Sequence, residues 1–404
     1  MSVFISILGL GLLILIHEAG HFFVARAVGM NPRKFYLGFP PAIAKTKRNG
    51  IEYGIGAIPL GGYVKIPGMH RPAAGDLDLY FGRALHEEPS LRRPIDELRR
   101  LLDEAEYGDA RAALARVRES LAPLELSPAA FRSAERGVSE IDDALAPDAY
   151  WRAKTWKRVA VIFAGPAANL VLAVALFSAI VMAGDAYYRV GVGLGNSGGQ
   201  ATQVVERVEA DSPAAAAGLK PRDRIVAVDG RRVDGDALIE AIRASRGRPI
   251  TFTVSRAGRQ LELKPIRAEN YESPGAVASV WEALRFTGRV TKDIGESIGR
   301  LVTGEGRDQI SSPVGIVQGS SEAVEEGAET YLIVLGLISL SLALLNLLPL
   351  LPLDGGHIAF SLLEGVRGRA VAREIYERVS VVGIAVVLLL FFIGLTNDIG
   401  RLGE

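Results

Sequence analysis

Residues Leu12-Leu13-Ile14-Leu15-Ile16-His17-Glu18-Ala19-Gly20-His21-Phe22-Phe23-Val24-Ala25 set three ionisable side chains inside an otherwise apolar segment. In a helix, positions i and i+4 lie on one face, so His17 and His21 can meet a single metal ion. Glu18, beside the first histidine, is then placed to act as a general base at that metal. Ionisable groups inside an apolar span are expensive and functional by default. Residues 1–16 carry no charge, and the apolar run resumes after His21 and stops at Arg26. Such a segment is long enough to cross a hydrocarbon core of ~30 Å. It lacks the basic leader and small-residue cleavage site of a signal peptide, so it is expected to be a retained span.

Three more uncharged runs follow: 25 residues at 159–183, 23 at 331–353 and 18 at 379–396. Four transmembrane helices are therefore expected. Lys and Arg beside the spans set orientation. Arg26, Arg33, Lys34, Lys45, Lys47 and Arg48 follow the first span, and Arg152, Lys154, Lys157 and Arg158 precede the second. Arg367, Arg369 and Arg373 separate the third from the fourth. These loops read as cytoplasmic, which places both termini and the 184–330 segment outside. Entering near Val3, the first span carries His17 ~21 Å along its axis, leaving ~9 Å to the cytoplasmic face of the core.

Lys plus Arg and Asp plus Glu each total 46 of 404 residues, so no basic excess points to nucleic acid. With no cysteine, disulfides, thiol nucleophiles and Cys-ligated metals are excluded. Two histidines leave a tetrahedral zinc one protein ligand short. The stretch Asn346-Leu347-Leu348-Pro349-Leu350-Leu351-Pro352-Leu353-Asp354-Gly355-Gly356-His357 supplies two candidates, Asp354 and His357. Pro349 and Pro352 cannot continue a regular helix, and the break lets Asp354 turn toward a metal in a cavity.

These motifs, with Phe163-Ala164-Gly165-Pro166-Ala167-Ala168-Asn169 in the second run, resemble the site-2 protease family, in particular its bacterial RseP-type intramembrane zinc metalloproteases. The resemblance covers nearly the whole chain except 76–149. It implies a polytopic α-helical membrane protein with four transmembrane helices, a membrane-associated β-hairpin and a soluble α+β PDZ-like domain, in the bacterial inner membrane. It implies one zinc per chain held by His17, His21 and Asp354, with Glu18 as catalytic base and Asn346 contacting substrate or the oxyanion. The implied substrates are single-span membrane proteins, such as trimmed anti-sigma factors or remnant signal peptides, cut within the lipid bilayer. A competing reading is a membrane-anchored PDZ adaptor without proteolysis. A third is a membrane zincin whose last ligand is Glu.

The expected organisation is a first span at 1–25, a cytoplasmic-face loop at 26–75 and a charged helical insertion at 76–150. A second span follows at 151–185, then a PDZ-like domain at 186–272, an amphipathic linker at 273–330, a third segment at 331–361 and a fourth at 378–398. Residues 51–66 alternate and are Gly-rich, which reads as a hairpin or strand pair. Gly61, Gly62 and Tyr63 resemble the family's hairpin and would offer an edge for strand addition by the unwound substrate. Residues 76–149 hold 17 acidic and 10 basic side chains, a solvated face. Helical spacing over Leu91–Leu121, with Gly108-Asp109 near its middle, predicts a helical hairpin there, and His70 and His86 read as surface residues. Ala217–Gly230 resembles the PDZ core strand and turn, with Arg222-Asp223 where Gly-Asp is usual. That domain can bind peptide C-termini or gate substrates by size. Gly191-Val192-Gly193-Leu194-Gly195 lacks the strand–helix context of a dinucleotide site and reads as a carboxylate loop or a lead-in.

Overall fold

The computed structural model describes the chain except residues 184–186, 191, 198–199, 272–274, 304–305, 308–309, 372 and 403–404. Gly191 of the glycine-rich lead-in therefore lies outside the described residues. Contacts divide the chain into two units, 1–177 with 284–404, and 178–283. Among the described residues, four helices are long and apolar enough to cross a membrane: Ser2–Ala27, Thr155–Ala183, Ala328–Asn346 and Ile375–Gly400. Only a helix or a closed barrel can satisfy its own backbone in hydrocarbon. A third or less of each apolar window is buried within the protein. Phe4, Leu8, Leu12, Val171, Val381, Leu389 and Phe392 face outward. Apolar surface on this scale marks contact with lipid rather than water.

The first of these helices, α1 (Ser2–Ala27), leads into two long strands, β1 (Lys34–Arg48) and β2 (Ile51–Lys65). The hairpin is formed by these two strands, not within 51–66 as the sequence suggested; that stretch is a single strand whose partner lies upstream. Arg48 faces Ile51 across the tight Asn49-Gly50 turn. Lys34–Leu37 is paired twice, with Gly62–Lys65 on one side and with Glu52–Ile55 on the other. The chain bends about Gly38, at φ 86°, so that each strand contributes two paired segments. Gly62–Lys65 forms one outer edge of this sheet, and Ala44–Arg48 the other.

The charged insertion contains four helices, α2 (Ala74–Glu87), α3 (Arg92–Asp103), α4 (Tyr107–Leu121) and α5 (Pro128–Leu145). The expected helical hairpin is thus doubled. The break falls at 104–106, where Ala105 has φ 57°, while Gly108 lies inside the first turn of α4. Leu77, Phe81, Ile95, Leu98, Val117 and Ile141 close a core of their own, so the acidic and basic residues cover its outside. At the start of α5, Ser127 Oγ accepts from the Ala130 amide and Pro128 fills the first turn, a capped helix start. Arg33, just before β1, pairs with Asp143 at 2.8 Å and Asp148 at 3.1 Å. Lys65, at the end of β2, pairs with Glu140 at 2.8 Å and Asp143 at 2.9 Å. Burial pushes the Asp148 carboxyl up, but the Arg33 hydrogen bonds and charge outweigh it and hold the group below the usual carboxylate range. The insertion is thereby pinned to the base of the edge segment. His86 and His70 are exposed as expected, and His70 packs edge-on against Tyr376.

Helix α6 (Thr155–Ala183) is the second apolar helix. The second unit then forms a sheet in the spatial order Arg259–Glu262, Phe252–Arg256, Arg224–Val228, Gln200–Val208 and Val192–Ser197, with Arg231–Arg232 beside Arg224–Val228. Helices α7 (Pro213–Ala216) and α8 (Gly235–Ala244) accompany it. Val205, Ile225, Leu238, Phe252 and Val254 fill its core. Arg222 adopts φ 72°, the left-handed conformation that glycine takes freely. Asp223, almost fully buried, accepts from the Lys220 amide and from Arg256 Nε and Nη2. These bonds stabilise the turn that Arg222 strains.

The last part comprises α9 (Ala276–Thr303), α10 (Pro313–Glu326), α11 (Ala328–Asn346), α12 (Asp354–Arg367) and α13 (Arg373–Leu402). Helix α9 lies in the first part of the amphipathic linker expected at 273–330, with Val280 and Leu284 outward. Helix α10 packs on α1, where Ser6 Oγ donates to the Val317 carbonyl. Asp398, a buried acid on α13, accepts from the Ser312 and Gly315 amides. It thus satisfies otherwise unpaired donors at the start of α10.

Candidate active site

Three helices and one strand build the site. His17 and His21 are both buried on successive turns of α1, facing α6. The approach of α6 depends on glycine. A Cβ at Gly20 would collide with the Ala164 carbonyl, and one at Gly165 with Nε2 of His21. Pro166 follows inside α6 and removes one N–H from its ladder. His21 Nδ1 lies 2.8 Å from the Val161 carbonyl. Since a carbonyl only accepts, Nδ1 carries the proton and Nε2 keeps its lone pair.

Asp354 arrives from the broken third segment. Helix α11 ends at Asn346 and α12 begins at Asp354. The seven residues between contain Pro349 and Pro352, neither of which can extend α11 with a full set of hydrogen bonds. The turn folds back so closely that a Cβ at Gly355 would strike the Leu347 carbonyl. Asp354 Oδ2 lies 3.2 Å from Nε2 of His17 and 3.4 Å from Nε2 of His21, and the two Nε2 atoms are 3.2 Å apart.

These spacings test whether a metal fits. Asp354 Oδ2 is buried and has no hydrogen-bond donor. Nε2 of His21 is a lone pair, so the close approach to Oδ2 sets two acceptors against each other. A cation at their centre removes that conflict. Tetrahedral zinc with ligands at 2.0–2.2 Å requires ligand atoms roughly 3.3–3.5 Å apart, close to the three separations found. Among the described residues, His17, His21 and Asp354 are the group of three ligating side chains brought together. The rival candidate His357 turns elsewhere, with Nδ1 3.1 Å from the Tyr376 hydroxyl.

Glu18 is half-buried on α1 and meets the edge segment of β2. A Cβ at Gly62 would stand 2.8 Å from Glu18 Cγ and 3.3 Å from Ile14 Cγ2. Tyr63 stacks on Tyr36 with ring centroids 5.2 Å apart. Asn346 remains with its own helix, its Nδ2 donating to the Leu342 carbonyl one turn back.

Residues 5–390 match Peptidase family M50. The chain belongs to this family. A putative zinc metalloprotease of Agrobacterium fabrum is 30% identical over 98% of this chain and 95% of its own length. Zinc metalloprotease RasP of Geobacillus kaustophilus is 29% identical, over 99% and 98%. The probable protease eep of Enterococcus faecalis is 26% identical, over 99% of each chain. The protein is therefore a zinc metallopeptidase of the site-2 protease family, and its apolar helices make it an integral membrane protein. For an M50 peptidase, a zinc-sized convergence of two histidines and an aspartate is the feature the chemistry requires.

One buried group at this site had no role assigned from sequence. Asn169, on α6, places Nδ2 3.4 Å from His17 Nδ1. Its motif was legible, but its partner depends on how α1 and α6 cross, which no local pattern encodes.

Proposed function

We propose that this chain is an intramembrane endopeptidase that cuts transmembrane segments of single-span proteins within the bilayer, with trimmed anti-sigma factors and remnant signal peptides as candidate substrates. One observation supports the reading: His17 and His21 lie on a helix apolar enough to cross a membrane, and Asp354 meets them from the turn that follows a second such helix, Ala328–Asn346. A peptide bond reaching this cluster must come from another membrane segment. His17, His21 and Asp354 hold the metal, and Glu18 is the base.

Zinc, when bound, supplies Lewis acidity that makes a water more acidic and polarises the scissile carbonyl. The protein supplies the rest. Glu18 takes a proton from the attacking water and later delivers it to the departing amine. The helices exclude bulk water, so water enters through a cavity on the cytoplasmic side. The substrate helix must unwind, because its carbonyls are otherwise held in its own hydrogen bonds. Gly62 and Tyr63 belong to an edge segment of the sheet, Gly62 packs beside Glu18, and Gly61 precedes them. An unwound segment adding there as a strand would present its backbone to the base. Asn346 contacts substrate or the oxyanion in this reading.

Orientation follows the flanking cations, with termini and the second unit outside and the site toward the cytoplasm. We read the second unit as PDZ-like, on its sheet, its two helices and the Ala217–Gly230 strand and turn. It gates substrates by size or captures peptide C-termini.

The function is tested by comparing membrane proteomes of cells carrying the native chain and Glu18→Gln. Single-span stubs should accumulate with the variant; unchanged membrane proteomes would remove the proposed substrate class. The second unit is tested separately by excising residues 200–268. Zinc should stay bound, and substrates with large outer domains should be cut without trimming. An unchanged ratio of trimmed to untrimmed cleavage would leave peptide tethering as its role.

A further inference from the structure

Asn169 is fully buried, and its side-chain carbonyl Oδ1 has no hydrogen-bond partner. A buried unpaired acceptor costs about 1–3 kcal/mol, so its neighbourhood calls for a donor. The residue is fixed in place from two sides. It follows Pro166 by three positions on α6, and its main-chain carbonyl accepts from Ser339 Oγ of α11 at 2.9 Å. Its amide end points at His17 Nδ1, with Nδ2 at 3.4 Å.

The ring chemistry decides which amide atom must face His17. An N–H directed at Nδ1 requires a lone pair there, and in a neutral imidazole this puts the proton on Nε2. Nε2 of His17 is the atom that lies 3.2 Å from Asp354 Oδ2 and 3.2 Å from Nε2 of His21. A proton there would occupy the position needed for metal ligation. With zinc on Nε2, the proton resides on Nδ1, which becomes a donor and would meet the Asn169 NH2, another donor. The two ends of an amide are nearly isosteric and exchange by a half-turn of the group. That half-turn brings Oδ1 to Nδ1 and pairs the unpartnered carbonyl.

We infer that Asn169 is a positioning residue for the metal site: its side-chain carbonyl accepts the Nδ1–H of His17 and fixes that ring with Nε2 toward zinc. His21 has the matching arrangement, with Nδ1 donating to the Val161 main-chain carbonyl on the same helix. Val161, Gly165 and Asn169 recur every fourth residue along α6, so they share one face. The first and last hold one imidazole each, and the glycine between them makes room for both rings. Full burial of Asn169 rules out direct contact with substrate. The inference rests on the proposed ligand set, and it extends that set to the group that orients its first member.

The test is zinc retention by the full-length protein in detergent, in competition with a chelating dye. It is accompanied by the visible spectrum of the Co(II)-substituted form. Asn169→Leu, which fills the space without an acceptor, should weaken zinc binding about 10- to 100-fold, the usual effect of removing the outer partner of a ligating histidine, and should shift the Co(II) bands. Asn169→Asp keeps the acceptor and removes the donor, so it should hold zinc as tightly as the native chain. Wild-type affinity in Asn169→Leu would overturn the inference. So would affinity in Asn169→Asp as weak as in the leucine variant, because that points to Nδ2 as the required atom. If Asn169→Leu fails to fold, Asn169→Ala, which also lacks the acceptor, takes its place beside Asn169→Asp. His17→Ala and Asp354→Ala separate the two levels of the argument: zinc retained in both refutes the ligand set itself, whereas zinc lost in both but kept in Asn169→Leu refutes only the role of Asn169.

Discussion

Glu18→Gln is expected to reduce peptide-bond cleavage by roughly 10²–10⁴-fold while leaving the fold and zinc content unchanged. The side chain keeps its length and shape and loses only its ability to take a proton. Glu18 is absent from the His17, His21 and Asp354 convergence, so the metal keeps its ligands. Its place beside Gly62 on the edge segment puts the proposed base where an added substrate strand would lie. The check is a single-turnover assay on purified, zinc-loaded protein with a membrane-segment substrate. Cleavage by the variant within a few-fold of the native rate would remove Glu18 from the mechanism.

Removal of the third ligand has the second large effect. Asp354→Ala leaves two histidine nitrogens 3.2 Å apart and no third protein ligand for a tetrahedral ion. Purified native protein should carry about one zinc per chain, and Asp354→Ala should lose it on dialysis against a chelator, with loss of activity. His357→Ala should retain zinc, because that ring is engaged with the Tyr376 hydroxyl. Elemental analysis of the three proteins decides the matter. Normal zinc in Asp354→Ala with loss in His357→Ala would reverse the ligand assignment.

The parts of this architecture that were legible in the sequence are those encoded by local periodicity. Uninterrupted apolar runs mark the four helices, because hydrocarbon tolerates few alternatives. His17 and His21 are recognisable as a pair because four residues make about one helical turn. Pro349 and Pro352 announce the break that releases Asp354 from a continuous helix. The hairpin was only half legible. Its first strand is interrupted by Gly38 and by Pro40 and Pro41, so the alternation that betrays 51–66 is hidden in its partner. The insertion's second break was misplaced because the turn at Ala105 lacks the glycine that a left-handed residue usually signals. Asp398 lies near the end of an apolar helix and gives no hint that it caps α10 across 83 residues. Asn169 belongs with these: pairings made through space, between helices whose crossing is set by Gly20 and Gly165 together.

The central claim is that cleavage occurs inside the membrane span of the substrate. The most direct measurement is mass spectrometry of the products formed when the enzyme and a single-span substrate are reconstituted together in lipid vesicles. The account predicts new termini within the substrate's apolar segment, nearer its cytoplasmic end, and none with Glu18→Gln. Cuts confined to the soluble flanks of that segment, with the span left whole, would contradict it.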